Sequence, residues 1–404
     1  MNLVDTRRNN GYLIISLLFL VDFVTFLNVG LSVALLKVSI YAITVLLILK
    51  NFKNYQNSVL RKDVFWTLST IYMILMFIRL SVDFFIPGKG FFLYKDPSTI
   101  LFFYIMTMIL PLWLLLNKQI KINLVGFCVV TGLVLFVCLL SSLQQVMQGS
   151  MVAATTGGQY SGGLDIISYG HYGLSLVFIA IYVWLFTDTK LLKILAITFS
   201  FVGLSGIVLS GSRSPIIAFL ICGAIFYIAK THKWKWIVVG AIVLYLLLNA
   251  IESQIYSFNN FLIDNGITSF NRVVETFWGG ENIVDNTSGR NTIYSEGWLL
   301  FFDNILFGYG YLLPDESYVH NLFIEQFMAL GVFGGVIFVI MNIIALKKSW
   351  ALIQIEPKYT LIVVLFLQYL ILGLFSRTAI ANAPYWLFMF LVVNTYNNYN
   401  SIEQ

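Results

Sequence analysis

Apolar runs of about 20 residues recur along almost the whole chain, and no other feature restricts its fold as much. A bilayer core about 30 Å thick is crossed by a helix of that length. Within lipid each backbone N–H and C=O must find its partner inside the protein, so helices are the natural solution. Only 11% of the 404 residues are charged and 59% are hydrophobic, where a soluble domain carries about 25% charged. These values exclude a soluble domain, a disordered chain, a disulfide scaffold and a nucleic-acid binder. Cys128, Cys138 and Cys222 all lie inside apolar runs, so they imply no disulfide framework. The first run follows Arg7 and Arg8 in the manner of a signal peptide. It is long and lacks a small-x-small cleavage site, so it reads as a retained span.

The expected fold is all-α: a polytopic transmembrane helical bundle of about twelve spans, one integral membrane domain over 1–404. The spans fall at 11–29, 32–49, 64–86, 99–116, 122–143, 167–186, 191–209, 214–229, 234–251, 318–346, 359–374 and 382–396. A tight turn at Asn28-Val29-Gly30 separates the first two. Basic residues fix the orientation. With the N-terminus in the cytoplasm, sixteen Lys and Arg fall in cytoplasmic segments and six in external ones: Lys89, Lys95, Arg213, Arg272, Arg290 and Arg377. Lys37 and Arg79 lie within spans. Both termini are then cytoplasmic. The net charge of +5 reflects this topology and not an anionic partner.

Residues 252–317, between the ninth and tenth spans, form a large external loop with nine acids and two bases. A structureless loop of that length is uncommon, so it is expected to be partly helical. Ser288 is placed to cap a helix starting near Arg290, with Ile293, Gly297, Leu300 and Phe301 on one face. Gly308-Tyr309-Gly310 and then Pro314 end it.

Basic side chains outside the membrane are few, and those that remain are candidates. Arg213 sits in the small-residue turn Ser210-Gly211-Ser212-Arg213-Ser214-Pro215, at the start of the eighth span. A guanidinium beside free helix N–H groups suits an anion, phosphate above all. The competing reading is a charge snorkelling to the interface. Arg290, in Ser288-Gly289-Arg290, repeats the pattern on the same side. Alone it would read as a solvated charge. His320, at the external mouth of the tenth span beside Asn321, has the side chain best suited to proton transfer near neutrality. Glu325, inside an apolar span, is costly there and should face the protein interior. Ser212, Asn321, Glu325, Trp298, Arg79 and Arg377 complete the substrate-binding candidates. Arg79 and Asp83 are four apart. They either pair on one helix face or Arg79 joins the external basic site. Asp22 and Lys37 read as a structural salt bridge across the first hairpin. His171 is a weaker candidate, and His232 lies among cytoplasmic lysines. No metal-site spacing and no nucleotide-binding motif is present, and no cofactor is expected. An external site has no nucleotide supply, so its donor must arrive already activated, through the membrane.

Four of these features, in this order, carry a family likeness: the Gly-Ser-Arg turn at 210–214; the large loop with Ser288-Gly289-Arg290; Trp298 and then Phe307-Gly308-Tyr309-Gly310; and His320-Asn321 followed by Gly331 and Gly334. The chain resembles the O-antigen polymerase and O-antigen ligase superfamily of bacterial membrane glycosyltransferases, closely over about 200–340. One departure is Ser168-Tyr169-Gly170-His171, where many members have a Pro-Asn pair. The resemblance implies a C-type membrane glycosyltransferase in the bacterial cytoplasmic (inner) membrane, with its active site on the external side. It implies an undecaprenyl-diphosphate-linked oligosaccharide as donor, a hydroxyl acceptor and a chain-length regulator as a protein partner. It also implies that Arg213 and Arg290 bind the diphosphate and that His320 acts at the reacting centre.

The expected activity is polymerisation, in which a growing lipid-linked glycan is moved onto the next lipid-linked repeat unit. A ligase with a lipid A-core acceptor shares the chemistry. A flippase for lipid-linked oligosaccharides is a rival of another class. It would show polar or broken helices near the midplane, whereas the polar candidates here collect at one face.

Overall fold

The computed structural model describes residues 11–21, 33–51, 63–85, 97–117, 120, 122–147, 166–231, 240, 250, 252–266, 270–271, 274, 290–315 and 317–402. The helices are α1 (Gly11–Leu20), α2 (Val33–Asn51), α3 (Val64–Phe85), α4 (97–117), α5 (Leu124–Met147), α6 (Ile166–Phe186), α7 (Lys190–Ser210), α8 (Arg213–Thr231), α9 (Glu252–Asp264), α10 (Arg290–Asp303), α11 (Leu322–Ile355), α12 (Thr360–Phe375) and α13 (Ala383–Ile402), with no strand among the described residues. Among the described residues, seven segments are long and apolar enough to cross a membrane: α3, α6, α7, α11, Ile100–Asn117, Leu124–Gln144 and Pro357–Phe375. The architecture is an all-α polytopic membrane protein. Eleven of the twelve expected spans overlap a helix, the first of them only over Gly11–Leu20. The ninth, 234–251, lies outside the described residues apart from Gly240 and Ala250, as do Asp22, the Asn28–Gly30 turn and Ser288. Lys37, expected to pair with Asp22, lies over the Phe103 ring at 5.3 Å.

Burial orders the helices. The runs Leu361–Phe366 of α12 and Tyr385–Val393 of α13 are buried on every side, as expected of helices that are apolar all round and central. Helix α6 is buried almost as completely, from Ser168 to Ala180. It meets α7 through glycines: a Cβ on Gly173 would stand 2.5 Å from the Gly203 carbonyl. Small residues let spans approach this closely, which is how helices gain packing where lipid offers no hydrophobic drive. The opposite side of α7 exposes Leu191, Ile194, Ile197, Phe201 and Leu204 at helical spacing, a lipid-facing stripe.

Polar groups mark the two ends of the bundle. At one end the Lys348 ammonium pairs with Asp63, and Asn397 donates to the same carboxylate at 2.6 Å. Burial acts to raise the Asp63 carboxyl. The hydrogen bonds from Lys348, the Phe65 N–H and Asn397 outweigh it and hold the group below its ordinary range. At the other end Arg79 pairs with Asp83. This settles the open reading of Arg79. Its Nε donates to Asp83 at 2.8 Å and its Nη1 to the Gly308 carbonyl at 3.3 Å, while Asp83 Oδ2 accepts the Tyr311 N–H at 3.1 Å. The pair braces the 308–311 loop.

Two helices are irregular, and both irregularities serve that end. Pro111 clashes with the carbonyl four residues back, Thr107. Helix α4 widens into a π turn over Ile105–Ile109 at this point, and the Thr107 hydroxyl donates to the Ile380 carbonyl at 3.1 Å. Helix α11 is broken at Gly331 (φ 65°, ψ −163°), a conformation open essentially to glycine alone. The loop after α10 fills the break. Tyr309 N–H donates to the Met328 carbonyl at 2.7 Å, and Val332 N–H to the Ile305 carbonyl at 2.7 Å. Backbone groups freed by the break thus find partners inside the protein, as lipid requires.

Candidate active site at one end of the bundle

Three elements bring cationic side chains to the same end, and each is locked by its own hydrogen bonds. The first is the α7–α8 turn. Gly211 (φ 56°) closes α7 in the left-handed conformation, and Arg213 opens α8 two residues later. The Ser210 hydroxyl donates to the Ile207 carbonyl at 2.7 Å. Ser212 and Ser214 hydroxyls lie 3.4 Å apart, and Ser214 Oγ meets His171 Nε2 at 3.0 Å. His171 is fully buried behind the turn. A Cβ on neighbouring Gly170 would come within 2.4 Å of Ser210 Oγ, so α6 packs directly against the turn.

The second element is the 376–382 connection between α12 and α13, which carries Arg377. Its Nη2 donates to Ser168 Oγ at 2.7 Å and to the Tyr172 hydroxyl at 3.0 Å, and its Nη1 to the Ala381 carbonyl at 3.0 Å. Ala379 is held twice: its N–H donates to Glu325 Oε1 at 2.9 Å, and its carbonyl accepts the Trp386 indole N–H at 2.8 Å. Glu325 is fully buried, as its place in an apolar span required. Its work here is to pin the segment that carries Arg377. Its Oε2 has no hydrogen-bond partner among the described residues.

The third element joins α10 to α11. Arg290 opens α10 where the sequence placed the start of a helix. His320 is the only non-glycine residue with a positive φ among the described residues, at 56°. Such a backbone is uncommon, though His is among the residues that tolerate it, and it is found most often at functional positions. The sharp turn lets Asn321 cap α11, its Oδ1 accepting from Phe323 N–H at 3.0 Å and Ile324 N–H at 3.2 Å. Its Nδ2 donates to the Leu374 carbonyl at 3.2 Å. Asn321 is therefore a helix cap, and this cap is why the tenth span begins at Leu322 and not at 318.

The His320 ring lies 3.9 Å from the Tyr318 ring, and Tyr318 donates to the Ser376 carbonyl at 3.2 Å. Burial first, and the Arg290 charge second, press the imidazole down to about 4, partly offset by its hydrogen bond to the Ser376 backbone. At neutral pH the ring is therefore uncharged. A neutral imidazole keeps a lone pair on one nitrogen, and the buried Nδ1 has no hydrogen-bond partner among the described residues. Tyr294, on α10, is raised by burial and lowered less by Arg290 and Asn321.

Chain adjacency, hydrogen bonds and charge link these elements. Arg213 adjoins Ser214, Ser214 meets His171, and the Arg377 charge acts on His171. Ser376, next to Arg377, accepts from Tyr318, whose ring lies against His320, and the Arg290 charge acts on His320. Trp298 stands apart in an aromatic cluster with Phe301, Phe302 and Phe327, at centroid distances of 5.7, 6.1 and 5.8 Å. Sequence reasoning missed Ser214, Tyr318, Ser168, Tyr172 and the Ser376 carbonyl. Only the hydroxyl-rich stretches around 168–172 and 210–214 hinted at them.

Residues 198–339 match the family model described as O-antigen ligase. The matched stretch runs from α7 past the Gly331 break and holds Arg213, Arg290 and His320. It bears out the likeness to the O-antigen polymerase and ligase superfamily. No individual curated protein matches the chain.

Proposed function

We propose that the protein is a polysaccharide polymerase of the bacterial cytoplasmic membrane, a single membrane domain with both termini in the cytoplasm. It transfers an undecaprenyl-diphosphate-linked glycan, of the O-antigen or capsule kind, onto the next lipid-linked repeat unit at the external face. The observation that supports the reading is that the segments carrying Arg213, Arg377 and His320 are tied together at one end of an apolar bundle, Ser214 to His171 and Arg377 to Ser168 and Tyr172 on α6, and Tyr318 to the Ser376 carbonyl.

Attack by the acceptor hydroxyl on the anomeric carbon forms the new C–O bond. The bond from that carbon to the diphosphate oxygen breaks, and undecaprenyl diphosphate leaves with the electron pair. Negative charge grows on the leaving group, and Arg213 and Arg290 supply fixed, bidentate donors for it in a partly dehydrated cleft. No metal is needed for that role. The hydroxyl proton passes to the lone pair of His320. Binding of the anionic donor offsets the Arg290 charge, which makes the ring a better proton acceptor once substrate is in place.

A ligase with a lipid A-core acceptor uses the same chemistry, and the family match fits both readings. The low-charge, Asn- and Ile-rich composition favours the polymerase. The test supplies purified protein with lipid-linked repeat units alone. A ladder of products supports polymerisation. Transfer only after lipid A-core is added means a ligase. Transbilayer movement without transfer means a flippase. A chain-length regulator, if it is a partner, should change the ladder's length and not its existence.

A further inference from the structure

The acidic 252–317 segment does not end as a water-exposed loop. Helix α10 changes character along its axis. Its first turns expose Asn291, Thr292 and Ser295. From its middle onward the exposed residues are Trp298, Leu299, Phe302, Ile305, Leu306 and Phe307, with Leu299 at 63%, Phe302 at 61% and Phe307 at 77%. Six large apolar side chains this close together are more than a soluble surface normally shows.

The backbone places this patch beside a membrane span. Tyr309 and Ile305 are bonded to Met328 and Val332 of α11. Those positions lie six and ten residues below the helix start, about 9–15 Å along its axis. Immediately beyond them α11 exposes Phe333, Val336, Ile340 and Ile343 at helical spacing, the outer side of a span. The patch on 298–307 continues that lipid-facing surface. Asp303 and Asn304 are exposed within it, and a carboxylate at that point must reach headgroups or water. The segment therefore sits at the leaflet boundary and not near the midplane.

We infer that residues 298–307 are seated in the bilayer leaflet at the candidate-site end, with lipid hydrocarbon covering Leu299, Phe302, Ile305, Leu306 and Phe307. Helix α10 is then an inclined strut, with its apolar C-terminal half in lipid and its polar N-terminal half, headed by Arg290, outside the hydrocarbon. Its 14 residues span about 21 Å. Anchoring one end in the leaflet fixes the height of Arg290 above the membrane.

Single nitroxide labels at Leu299, Phe302 and Phe307, in the full-length protein reconstituted in phosphatidylglycerol–phosphatidylethanolamine vesicles, test this directly. Collision with oxygen reports lipid, and collision with a water-soluble nickel chelate reports water. All three sites should follow Phe333 (oxygen-accessible, nickel-poor), and a label at Asn291 should show the reverse. Nickel accessibility at Phe302 and Phe307 equal to that at Asn291 would overturn the inference. Inaccessibility to both reagents would overturn it as well, by showing that protein and not lipid covers the patch. A membrane-soluble diazirine applied to the unmodified protein gives a check free of substitution. Residues 298–307 should be modified as heavily as 333–343, and absence of modification there would contradict the inference. Neither readout depends on glycan transfer.

Discussion

At the scale of single residues, the candidate site depends on cations whose geometry is fixed by neighbours. Arg213 is set in a turn closed by Gly211 and backed by Ser214 and His171. Arg290 heads α10, which packs on α11 through Trp298 and Phe301 against Phe327. Arg213→Ala and Arg290→Ala should each remove most transfer activity while the protein stays in the membrane. Lys should restore part of it, since it supplies a point charge in place of a planar fork. It should restore more at Arg290, at a helix start, than at Arg213 in its tight turn. Full activity of either Ala variant at matched protein level would take that residue out of the diphosphate site. His320→Ala should lower turnover by about 10²–10⁴-fold if the ring accepts the proton. His320→Gln keeps a hydrogen-bond donor but no base, so near-normal turnover there would leave His320 a binding role only. The pH profile has a definite sign. Burial and Arg290 place the free imidazole at about 4, so the ring is neutral above that value and protonated below it. The acid limb of kcat/KM, which reports free enzyme, should therefore lie well under the ordinary histidine value. Arg290→Gln removes one lowering cause and should move the limb upward. An unchanged limb would mean that another group controls it.

At the scale of elements, the pairing of the α10 loop with the break in α11 holds the site in shape. Gly308 (φ 74°) and Gly331 (φ 65°) face each other's strands of backbone. A Cβ on Gly308 would stand 2.4 Å from the Ala329 carbonyl oxygen, and one on Gly331 would stand 2.4 Å from the Leu306 carbonyl oxygen. Gly308→Ala and Gly331→Ala should each cost at least about 1–3 kcal/mol, from backbone strain before any clash is counted. Gly223→Ala, with open space around it, should be near neutral. Thermal unfolding in detergent compares the three, and equal midpoints would remove the paired-glycine account. Much at this scale was legible in the sequence. The start of α10 near Arg290, its buried face at Gly297 and Phe301, and the spans themselves follow from periodicity and turn residues, which are local signals. Gly331 and Gly334 stood out in the sequence as part of the family likeness. That Gly331 breaks the helix against Gly308 was not legible, because the pairing spans more than 20 residues and is set by tertiary contact. The same holds for Arg79. Its four-residue spacing from Asp83 allowed a pair, but only the fold shows the Gly308 carbonyl and Tyr311 N–H that make the pair a brace.

At the scale of the whole molecule, the two polar clusters divide the bundle into a basic-braced end at Asp63, Lys348 and Asn397 and a candidate-site end. In the proposed topology, which the distribution of Lys and Arg supports, the first end is cytoplasmic. Cysteines placed at Asn291 and Lys347, both exposed, should then react with an impermeant thiol reagent from opposite sides of the membrane. Labelling from one side would contradict the topology. The overall architecture could be read from composition and run length, since lipid leaves few alternatives to helices. The site could be read only in part. Arg213, Arg290 and His320 announce themselves as scarce polar residues, whereas Tyr318, Ser376 and the Glu325–Ala379 contact belong to loops brought together from distant parts of the chain. The central claim is that this end of the bundle breaks a sugar–diphosphate bond and forms a sugar–sugar bond. The most direct measurement is the release of undecaprenyl diphosphate by reconstituted protein given only lipid-linked repeat units, counted against new glycosidic bonds. The account predicts one lipid diphosphate released for each bond formed, and almost none from the Arg213→Ala variant. Consumption of no donor, or movement of intact lipid-linked units across the bilayer with no diphosphate released, would contradict it.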